Sequence, residues 1–311
     1  MRILLASTAL IILTATAAAA SENDAYILQV GDHGKAYQTQ EGFDNTAVAI
    51  QSGLRNRVTQ DQIAGSTGNL AVSLQTGKLN TVNQSQGAEG TIVDTLKPVG
   101  NAAPVKTKTT FDIPSADSAA VAVQTGTLNE ATQLQFGSRN LAVSLQLGKG
   151  NSVVQTQGTI SEERTRYEGG TIRKEVPEAS RNSFAGALQI ADDSHVSQTQ
   201  SGNGHTATAF QAGLDESSFQ TQSGRDNDAV SIQIGGASRS SQTQSGKKNS
   251  GLVIQFDTEN FAEQTQTGER GEGTILQAGF RNEAEQVQAG VKNTAMIAQF
   301  GRSNVASQSQ K

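Results

Sequence analysis

The chain has 311 residues, a formal net charge of −5 and no cysteine. Without cysteine, the chain has no disulfide framework, no Cys-ligated metal site and no thiol nucleophile. Charges of both signs are scattered along the chain, so we predict no nucleic-acid partner. Aromatic residues make up only 4% and tryptophan is absent, which is sparse for a conventional globular core. We therefore expect the stabilising interactions to be distributed along the chain.

Residues 1–20 have the pattern of a secretory signal peptide. Arg2 precedes an apolar run, Ile3–Leu13, that is too short to span a bilayer, and small residues follow up to Ala20. We predict cleavage after Ala20 and a secreted mature chain that begins at Ser21. No later stretch is long and apolar enough to be a membrane helix, so we expect no membrane insertion.

From Asn23 onward the sequence is built from a repeat of 22 residues. Eleven units begin at Asn23, Asn45, Asn69, Ser118, Asn140, Ser183, His205, Asn227, Asn249, Gly271 and Asn293. If the first residue of a unit is counted as zero, glutamine occupies positions +6, +15 and +17 in all eleven units. Each half-unit follows the formula N-x-A-x-x-x-Q-x-G-x-x. A fixed period in this range is typical of a solenoid or repeat array.

Residue types alternate with a period of two within each half-unit, which predicts strands. In residues 45–51, the even repeat positions +0, +2, +4 and +6 hold Asn, Ala, Ala and Gln, and the odd repeat positions +1, +3 and +5 hold Thr, Val and Ile. Glycine at +8 marks the turn, with Ala191 and Asp257 as the exceptions. We predict an all-β protein, a β-solenoid of about eleven two-strand coils whose strands pair in parallel and in register. At the usual strand spacing it would be roughly 50 Å tall.

Two segments, 91–117 and 162–182, fit no repeat frame and contain all four prolines. They divide the solenoid into coils 1–3 (21–90), coils 4–5 (118–161) and coils 6–11 (183–311). Gly169-Gly170 predicts a hairpin in the second insert. Both inserts follow the +17 glutamine of their unit, so we expect them to emerge from the same edge, two coils apart.

The glutamine columns are the candidate structural site. Identical residues at one phase of a solenoid stack above one another, and a glutamine amide has donors and an acceptor for the residues above and below. A buried glutamine without such a partner would cost about 1–3 kcal/mol. Complete occupancy therefore predicts that these side chains form interior hydrogen-bonded ladders, which hold the coils together and take part in self-assembly. The predicted ladder residues are Gln29, Gln38, Gln40, Asn45, Gln51, Gln60, Gln62, Gln75, Gln211, Asn227, Gln233, Gln242, Gln244, Asn249, Gln255, Gln299, Gln308 and Gln310.

Two strand parities are open for the first half-unit. If even positions face inward, the +5 column, apolar in every unit from Leu28 to Ala298, faces outward. The opposite parity buries this column and exposes the +6 glutamines. Odd positions of the second half are mostly Ser, Thr or charged, as at Thr243, which favours even positions inward in both halves. The exposed apolar stripe then predicts a lateral contact, with another solenoid or with the inserts folded back.

The frame Q-x-G-x-x-N-x-A-x-x-x-Q in 22-residue units behind a signal peptide resembles the curlin repeat of bacterial curli subunits. Residues 140–148, N-L-A-V-S-L-Q-L-G, are representative, and the resemblance covers nearly all of the mature chain apart from the inserts. It implies a subunit that leaves through a dedicated outer-membrane export pore and polymerises on the cell surface into amyloid fibres of the biofilm matrix. A minor subunit would act as nucleator, and interior ladder roles would carry over to Asn227, Gln233, Gln242 and Gln244.

This sequence departs from the curlin pattern in four respects. It has more repeats than a typical curlin, and it has glutamine at +15 where curlins often have an aliphatic residue. It also carries proline-containing inserts and lacks a glycine-rich export segment before the first repeat. The first and last units lie close to the ends of the mature chain, so we expect unpaired strand edges that template head-to-tail addition of another chain.

An enzyme and a monomeric surface adhesin are the two other classes of function to compare with the sequence. An enzyme needs convergent, mutually oriented groups, whereas His33, His195 and His205 have no partner repeated with them. Calcium-binding nonapeptides and glycine-rich phosphate loops are absent from the sequence, so we predict no catalytic residue, metal or cofactor, and no enzyme. A monomeric surface adhesin with the inserts as recognition elements remains the alternative. Ice binding would need two regular threonine columns on one sheet. The +14 column holds mixed residue types, so ice binding is disfavoured.

Overall fold

A computed structural model of the protein describes residues 22–96, 105–167 and 170–311. Every regular element in these ranges is a β-strand, and the predicted β-solenoid of eleven two-strand coils is confirmed. Nothing in the described ranges is a helix long and apolar enough to cross a membrane. The predicted signal peptide, residues 1–20, lies outside the described residues.

The strands follow the repeat in chain order. The first three coils contain β1 (Asp24–Asp32), β2 (Lys35–Phe43), β3 (Thr46–Leu54), β4 (Arg57–Thr67), β5 (Leu70–Lys78) and β6 (Thr81–Gln86). The first hairpin consists of β7 (Ala88–Leu96) and β8 (Val105–Ile113). Between the two hairpins lie β9 (Ser115–Ala116), β10 (Ala119–Thr127), β11 (Glu130–Gln135), β12 (Gly137–Ser138), β13 (Leu141–Lys149) and β14 (Ser152–Gln157). The second hairpin consists of β15 (Thr159–Tyr167) and β16 (Gly170–Glu178).

The remaining six coils are uninterrupted. They contain β17 (Ser180–Arg181), β18 (Phe184–Asp192), β19 (His195–Asn203), β20 (Thr206–Leu214), β21 (Ser217–Arg225), β22 (Asp228–Gly236), β23 (Arg239–Lys247), β24 (Ser250–Thr258), β25 (Phe261–Glu269), β26 (Glu272–Phe280), β27 (Glu283–Val291), β28 (Thr294–Arg302) and β29 (Val305–Gln310).

Two parallel sheets form the solenoid. Sheet A contains the first strand of each coil, in the order β1-β3-β5-β10-β13-β18-β20-β22-β24-β26-β28. Sheet B contains the second strand of each coil, from β2 to β29, together with the short strands β9, β12 and β17. Pairing is in register, so that each repeat position lies beside the same position of the next coil, as Gln211 lies beside Gln233. The in-register pairing brings every column of the sequence repeat into one line along the solenoid.

The turns are tighter than the sequence predicts. Most strands have nine residues rather than seven, because they continue through the glycine at +8. Gly53 has a φ of +117°, and a Cβ there would lie 2.0 Å from the carbonyl oxygen of Gly77 in the next coil. A second left-handed residue, Arg55 with φ 56°, completes the turn before Asn56. Glycine is needed both for its backbone angle and for the close approach of successive coils.

Even positions face inward in both halves, so the interior consists of amides, small side chains and short rows of buried valine and isoleucine. In β3, Ala47 and Ala49 are fully buried and Gln51 is 2% exposed, whereas the odd positions between them are half-buried. The predicted parity is therefore confirmed. Small residues leave room for the amides of the opposite sheet, since a Cβ on Gly251 would lie 2.2 Å from Oε1 of Gln264.

The two inserts form one structure that the sequence did not reveal. Each is an antiparallel hairpin, and β16 pairs with β7, which gives a four-stranded sheet in the order β15-β16-β7-β8. The hairpin strands start at Ala88 and Thr159, three residues before the predicted inserts. Ser115–Ala116 and Ser180–Arg181 already pair with sheet B, so the inserts rejoin the solenoid earlier than predicted.

Phe136 lies at the base of the hairpins. It occupies position +18 of coil 4, where the neighbouring coils have Gly87 and Gly158, the residues at which the chain leaves for the two hairpins. Phe136 is 1% exposed, and a Cβ on Gly158 would lie 2.5 Å from its ring. The aromatic ring therefore fills the space between the two exit points.

The stacked glycines lead to a first prediction. Gly246→Ala should lower the free energy of unfolding by at least about 2 kcal/mol, because strain at positive φ alone costs about 1–3 kcal/mol. The φ at Gly246 is +108°, and its added Cβ would lie 2.0 Å from the Gly268 carbonyl oxygen. Gly236→Ala is the matched control, because a Cβ there meets nothing nearer than 3.5 Å. Denaturant unfolding of both variants measures the difference, and equal stability would contradict the close-approach argument.

Candidate functional site: the amide ladders

The +6 glutamines of sheet A form one continuous chain of side-chain hydrogen bonds. Nε2–H of each glutamine donates to Oε1 of the glutamine in the next coil, over distances of 2.7–2.9 Å. The chain runs through Gln29, Gln51, Gln75, Gln124, Gln146, Gln189, Gln211, Gln233, Gln255, Gln277 and Gln299. Every bond points from the N-terminal coil toward the C-terminal coil.

Sheet B carries two more ladders with the same direction. The +15 column runs from Gln38 to Gln308 with donor–acceptor distances of 2.7–3.4 Å. The +17 column runs from Gln40 to Gln310 with distances of 2.7–3.3 Å. Both ladders continue across the coils from which the hairpins leave. The inserts therefore do not interrupt the stacking of the coils.

A second hydrogen bond of the same amide group fixes this direction. Nε2 of Gln60 also donates to the carbonyl oxygen of Val48 in sheet A, and Nε2 of Gln51 donates to the carbonyl oxygen of Lys35 in sheet B. A glutamine amide has two N–H donors, so one bonds the next coil and the other bonds the opposite sheet. A flipped amide would direct its oxygen at a carbonyl oxygen. The cross-sheet bonds thus select one orientation for every ladder.

Asparagine columns tie the turns together in the same way. Nδ2 of Asn56 donates to the carbonyl oxygens of Ser52 and of Gly77 in the next coil, and its Oδ1 accepts the backbone N–H of Asn80. The column at +0 makes equivalent bonds, as Asn249 does with Gly268. The column at +11 was not counted among the predicted ladder residues, although the half-unit formula contains its asparagine.

The predicted ladder residues all lie at inward positions of these columns. The structure brings them into successive coils as stacked partners rather than gathering them into one pocket. Those in inner coils are buried, whereas Gln29, Gln38, Gln40, Gln308 and Gln310 are half-buried because they lie in the first or the last coil. The site is therefore a set of lines parallel to the solenoid axis, with two ends.

The two ends of a ladder present opposite chemical groups. In the first coil, Oε1 of Gln38 is buried and accepts no hydrogen bond from any residue that the structure describes. In the last coil, Oε1 of Gln308 accepts from Gln286, while its own Nε2 donates to none of the described residues. One end of the +15 ladder thus has a free acceptor and the other end a free donor.

His205 replaces asparagine in the +0 column of coil 7. Its ring is fully buried, Nε2 lies 2.9 Å from the Ser201 carbonyl oxygen, and Nδ1 accepts the backbone N–H of Asn227 at 3.3 Å. Burial lowers the pKa of this imidazole, which favours the neutral ring. A neutral ring with Nε2–H donating and Nδ1 accepting reproduces the bonding of an asparagine amide.

Glu216 replaces asparagine in the +11 column of the same coil. It is fully buried, and neither carboxylate oxygen has a hydrogen-bond partner among the described residues. Asparagine at this position, as at Asn56, donates to the carbonyl oxygens of the residue four positions earlier and of the +8 residue in the next coil, and in coil 7 these two residues are Ala212 and Gly235. Burial raises the pKa of the Glu216 carboxyl from its ordinary value of 4.5 to about 7, and the nearby backbone of Ala212 and Gly235 offsets only part of this effect. The protonated acid suits this position better than the carboxylate.

A metal site and the relatives of the chain were the two further sources of a functional assignment. It contains no group of three or more His, Asp or Glu side chains placed to hold a metal ion. Comparison of the sequence with protein-family models and with curated proteins gives no match. What the ladders can do chemically is bind further amides and strands of the same spacing.

The ladders lead to a second prediction. Gln233→Ala should destabilise the solenoid by about 2–6 kcal/mol, because it leaves the buried amides of Gln211 and Gln255 each without a partner, at about 1–3 kcal/mol apiece. Thr243→Ala, at an exposed outward position, should change stability by no more than about 0.5 kcal/mol. Urea unfolding monitored by circular dichroism compares the two. Similar values would show that the inward amides add nothing beyond an ordinary contact.

Glu216 leads to a third prediction. Its pKa is about 7 in the folded state and close to 4.5 in the unfolded state. The folded protein therefore holds the extra proton between these values, so its stabilising effect is complete below pH 4.5 and is lost as the pH rises through 7. The loss is about 3 kcal/mol at 1.36 kcal/mol per pKa unit.

The measurement is the unfolding free energy of wild type and of Glu216→Asn from pH 4 to pH 8. The Asn variant restores the residue typical of this column, and the difference between the two proteins cancels the titration of all other groups. We expect the variant to gain stability over wild type as the pH rises. A difference that stays constant with pH would show that Glu216 does not titrate in this range.

Proposed function

We propose that the protein is a secreted structural subunit, resembling a curlin, that self-assembles coil end on coil end into extracellular fibres for cell adhesion and biofilm matrix. The observation that carries this proposal is the common direction of the three glutamine ladders. Among the described residues, the glutamine acceptors of the first coil and the glutamine donors of the last coil have no partner in their ladders, so two copies would complement each other head to tail. A ladder that continues from one copy into the next would give each of these acceptors a donor and each of these donors an acceptor.

The proposed junction joins the same three glutamine columns in the two copies. Nε2 of Gln308 in one copy would donate to Oε1 of Gln38 in the next, and Gln299 and Gln310 would pair likewise with Gln29 and Gln40. The edge strands β28 and β29 would pair in parallel with β1 and β2, which have the same repeat positions. Such an edge is a ready template for another strand.

Repetition of this contact gives a filament. The contact joins two different surfaces, the first coil and the last, so it does not close on itself. Each copy would add eleven strand spacings, which is about 53 Å at ~4.8 Å per strand. By the resemblance to curlins, we also propose a cleaved signal peptide, an outer-membrane export pore and a nucleator subunit as partners.

One observation favours the alternative of a monomeric surface adhesin. The two inserts join into a single four-stranded sheet on one edge of the solenoid, which is a defined surface rather than two separate loops. In that case the hairpin sheet would be the recognition element and the solenoid its support. The alternative predicts a β-rich protein that stays monomeric.

The test is a fourth prediction. Residues 21–311, purified from denaturant and kept at micromolar concentration in neutral buffer, should form unbranched fibres after a lag that seeds remove. In Gln308→Glu the carboxylate still accepts the bond from Gln286, so the coil keeps its internal contact, but the donor for the next copy is lost. We expect elongation on wild-type seeds to slow by at least about tenfold, as expected for the loss of one hydrogen bond and an unpaired charge in the junction.

Ser309→Glu is the matched control, because it adds the same charge one residue away at an exposed outward position. It should elongate at nearly the wild-type rate, with both variants equally β-rich before assembly. Thioflavin fluorescence and electron microscopy give the readout. A wild-type protein that remains a β-rich monomer would refute self-assembly and favour the adhesin. Equal slowing by both variants would refute the ladder junction.

A further inference from the structure

Sheet A presents a large apolar surface to solvent. We call it the apolar face: the outward positions +3, +5 and +7 of all eleven coils, such as Val230, Ile232 and Ile234 in coil 8. None of these positions carries a charged residue. Several are well exposed, including Ile190 at 52% and Phe300 at 67%. A contiguous apolar patch of this kind on a soluble protein marks an interaction site.

The outward face of sheet B is different. Its equivalent columns carry polar and charged residues, such as Thr221 and Thr243 at +16 and Glu263 and Glu285 at +14. The two faces arise from one half-unit formula, and both sheets have asparagine, a small or β-branched residue and glutamine at its fixed inward positions. The apolar character is therefore a property of one outward face and not a requirement of the repeat.

The hairpin sheet does not explain the apolar face. The hairpin strands contact the solenoid through β8 on β4 and β15 on β19, which are strands of sheet B. The exposed side chains occur along the whole face, from Leu74 at 38% in coil 3 to Phe256 at 39% in coil 9. Within the described ranges, the expectation that the inserts fold back over the stripe is thus not met.

The dimensions of the face suit a protein partner of the same kind. Eleven strands at ~4.8 Å and about five residues at ~3.3 Å give roughly 850 Å². A specific protein interface of standard size buries about 800 Å² on each partner. One face covered by an equal face therefore reaches the area that a stable pair needs.

We propose that the apolar face is the surface on which a second copy of this chain packs, face to face, so that two solenoids lie side by side. The columns of both copies repeat at the same strand spacing, so the side chains of one face can fit between those of the other at the usual ~10 Å separation of packed sheets. The neighbouring +1 column carries Asp24, Asp228 and Glu272 and no cation. The +9 column on the other flank mixes acidic residues with Lys78, Lys149 and Arg302, so neither flank is a basic cluster that would bind an anionic lipid surface, which favours a protein partner over a membrane.

This contact goes beyond the proposed fibre junction and is independent of it. The junction uses the two ends of the solenoid, whereas the apolar face runs parallel to its axis. Lateral pairing can therefore occur with or without elongation. It would also remove from water a large apolar surface that head-to-tail assembly leaves exposed.

The absence of cysteine from the sequence permits a clean fifth prediction. Ile232→Cys places a single thiol on the apolar face, and Thr243→Cys places one at the same level on the polar face of sheet B. A short bifunctional thiol-reactive cross-linker should give severalfold more covalent dimer with Ile232→Cys. Equivalent residues along a filament are about 53 Å apart, so elongation alone does not produce this product.

A second pair of variants separates pairing from elongation. Ile232→Lys should give single, narrower filaments, or a monomer in the soluble fraction, while its elongation rate on seeds stays within about twofold of that of Thr243→Lys. Equal cross-linking of the two cysteine variants, or none with Ile232→Cys, would overturn the proposal. Binding to vesicles of uncharged lipid that depends on Ile232, with no covalent dimer formed, would also overturn the proposal. A protein that forms cross-linked pairs but no fibres would refute the proposed function and leave this inference standing.

Discussion

The structure depends on one interaction, the hydrogen bond between glutamine amides of successive coils. A buried amide is stable only when its donors and its acceptor are all used. In this solenoid one N–H bonds the next coil, the other bonds a carbonyl of the opposite sheet, and the oxygen accepts from the previous coil, as at Gln233. Substitution of one glutamine therefore leaves the glutamines of both neighbouring coils without a hydrogen-bond partner. The complete occupancy of three columns follows from this mutual dependence.

The same bond gives the stack a direction. An apolar core is non-directional and would fit a second copy in either orientation. An amide has donors on one side and an acceptor on the other, and the cross-sheet bonds fix which side faces which coil. Gln38 and Gln308 therefore present opposite groups at the two ends. Many of the large apolar residues lie instead on the outward face of sheet A, which runs alongside the ladders and would make its contacts perpendicular to them. End contacts and lateral contacts thus rest on different physical forces.

The exceptions to the repeat show what each column requires. His205 keeps an asparagine column intact because a neutral imidazole also has one donor and one acceptor. Glu216 satisfies its position only with a proton, since a carboxylate has no donor for the neighbouring carbonyls. Phe136 is tolerated where both neighbouring coils have glycine at the same position, which frees space for a ring. Each substitution is allowed by its immediate surroundings and leaves the glutamine ladders of that coil unbroken.

The sequence by itself determined the period, the eleven coils and the parallel register, because these follow from patterns within each 22-residue unit. It favoured even positions inward but left both parities of the first half-unit open, and the burial of the side chains decided between them. It also located the ladder columns. The tertiary structure alone decided the direction of the amides, the pairing of β16 with β7 and the unpartnered state of Glu216. These features depend on contacts between residues far apart in the chain. A local pattern records which residue types face inward, but the partner that each atom meets is set only when the coils and hairpins are brought together.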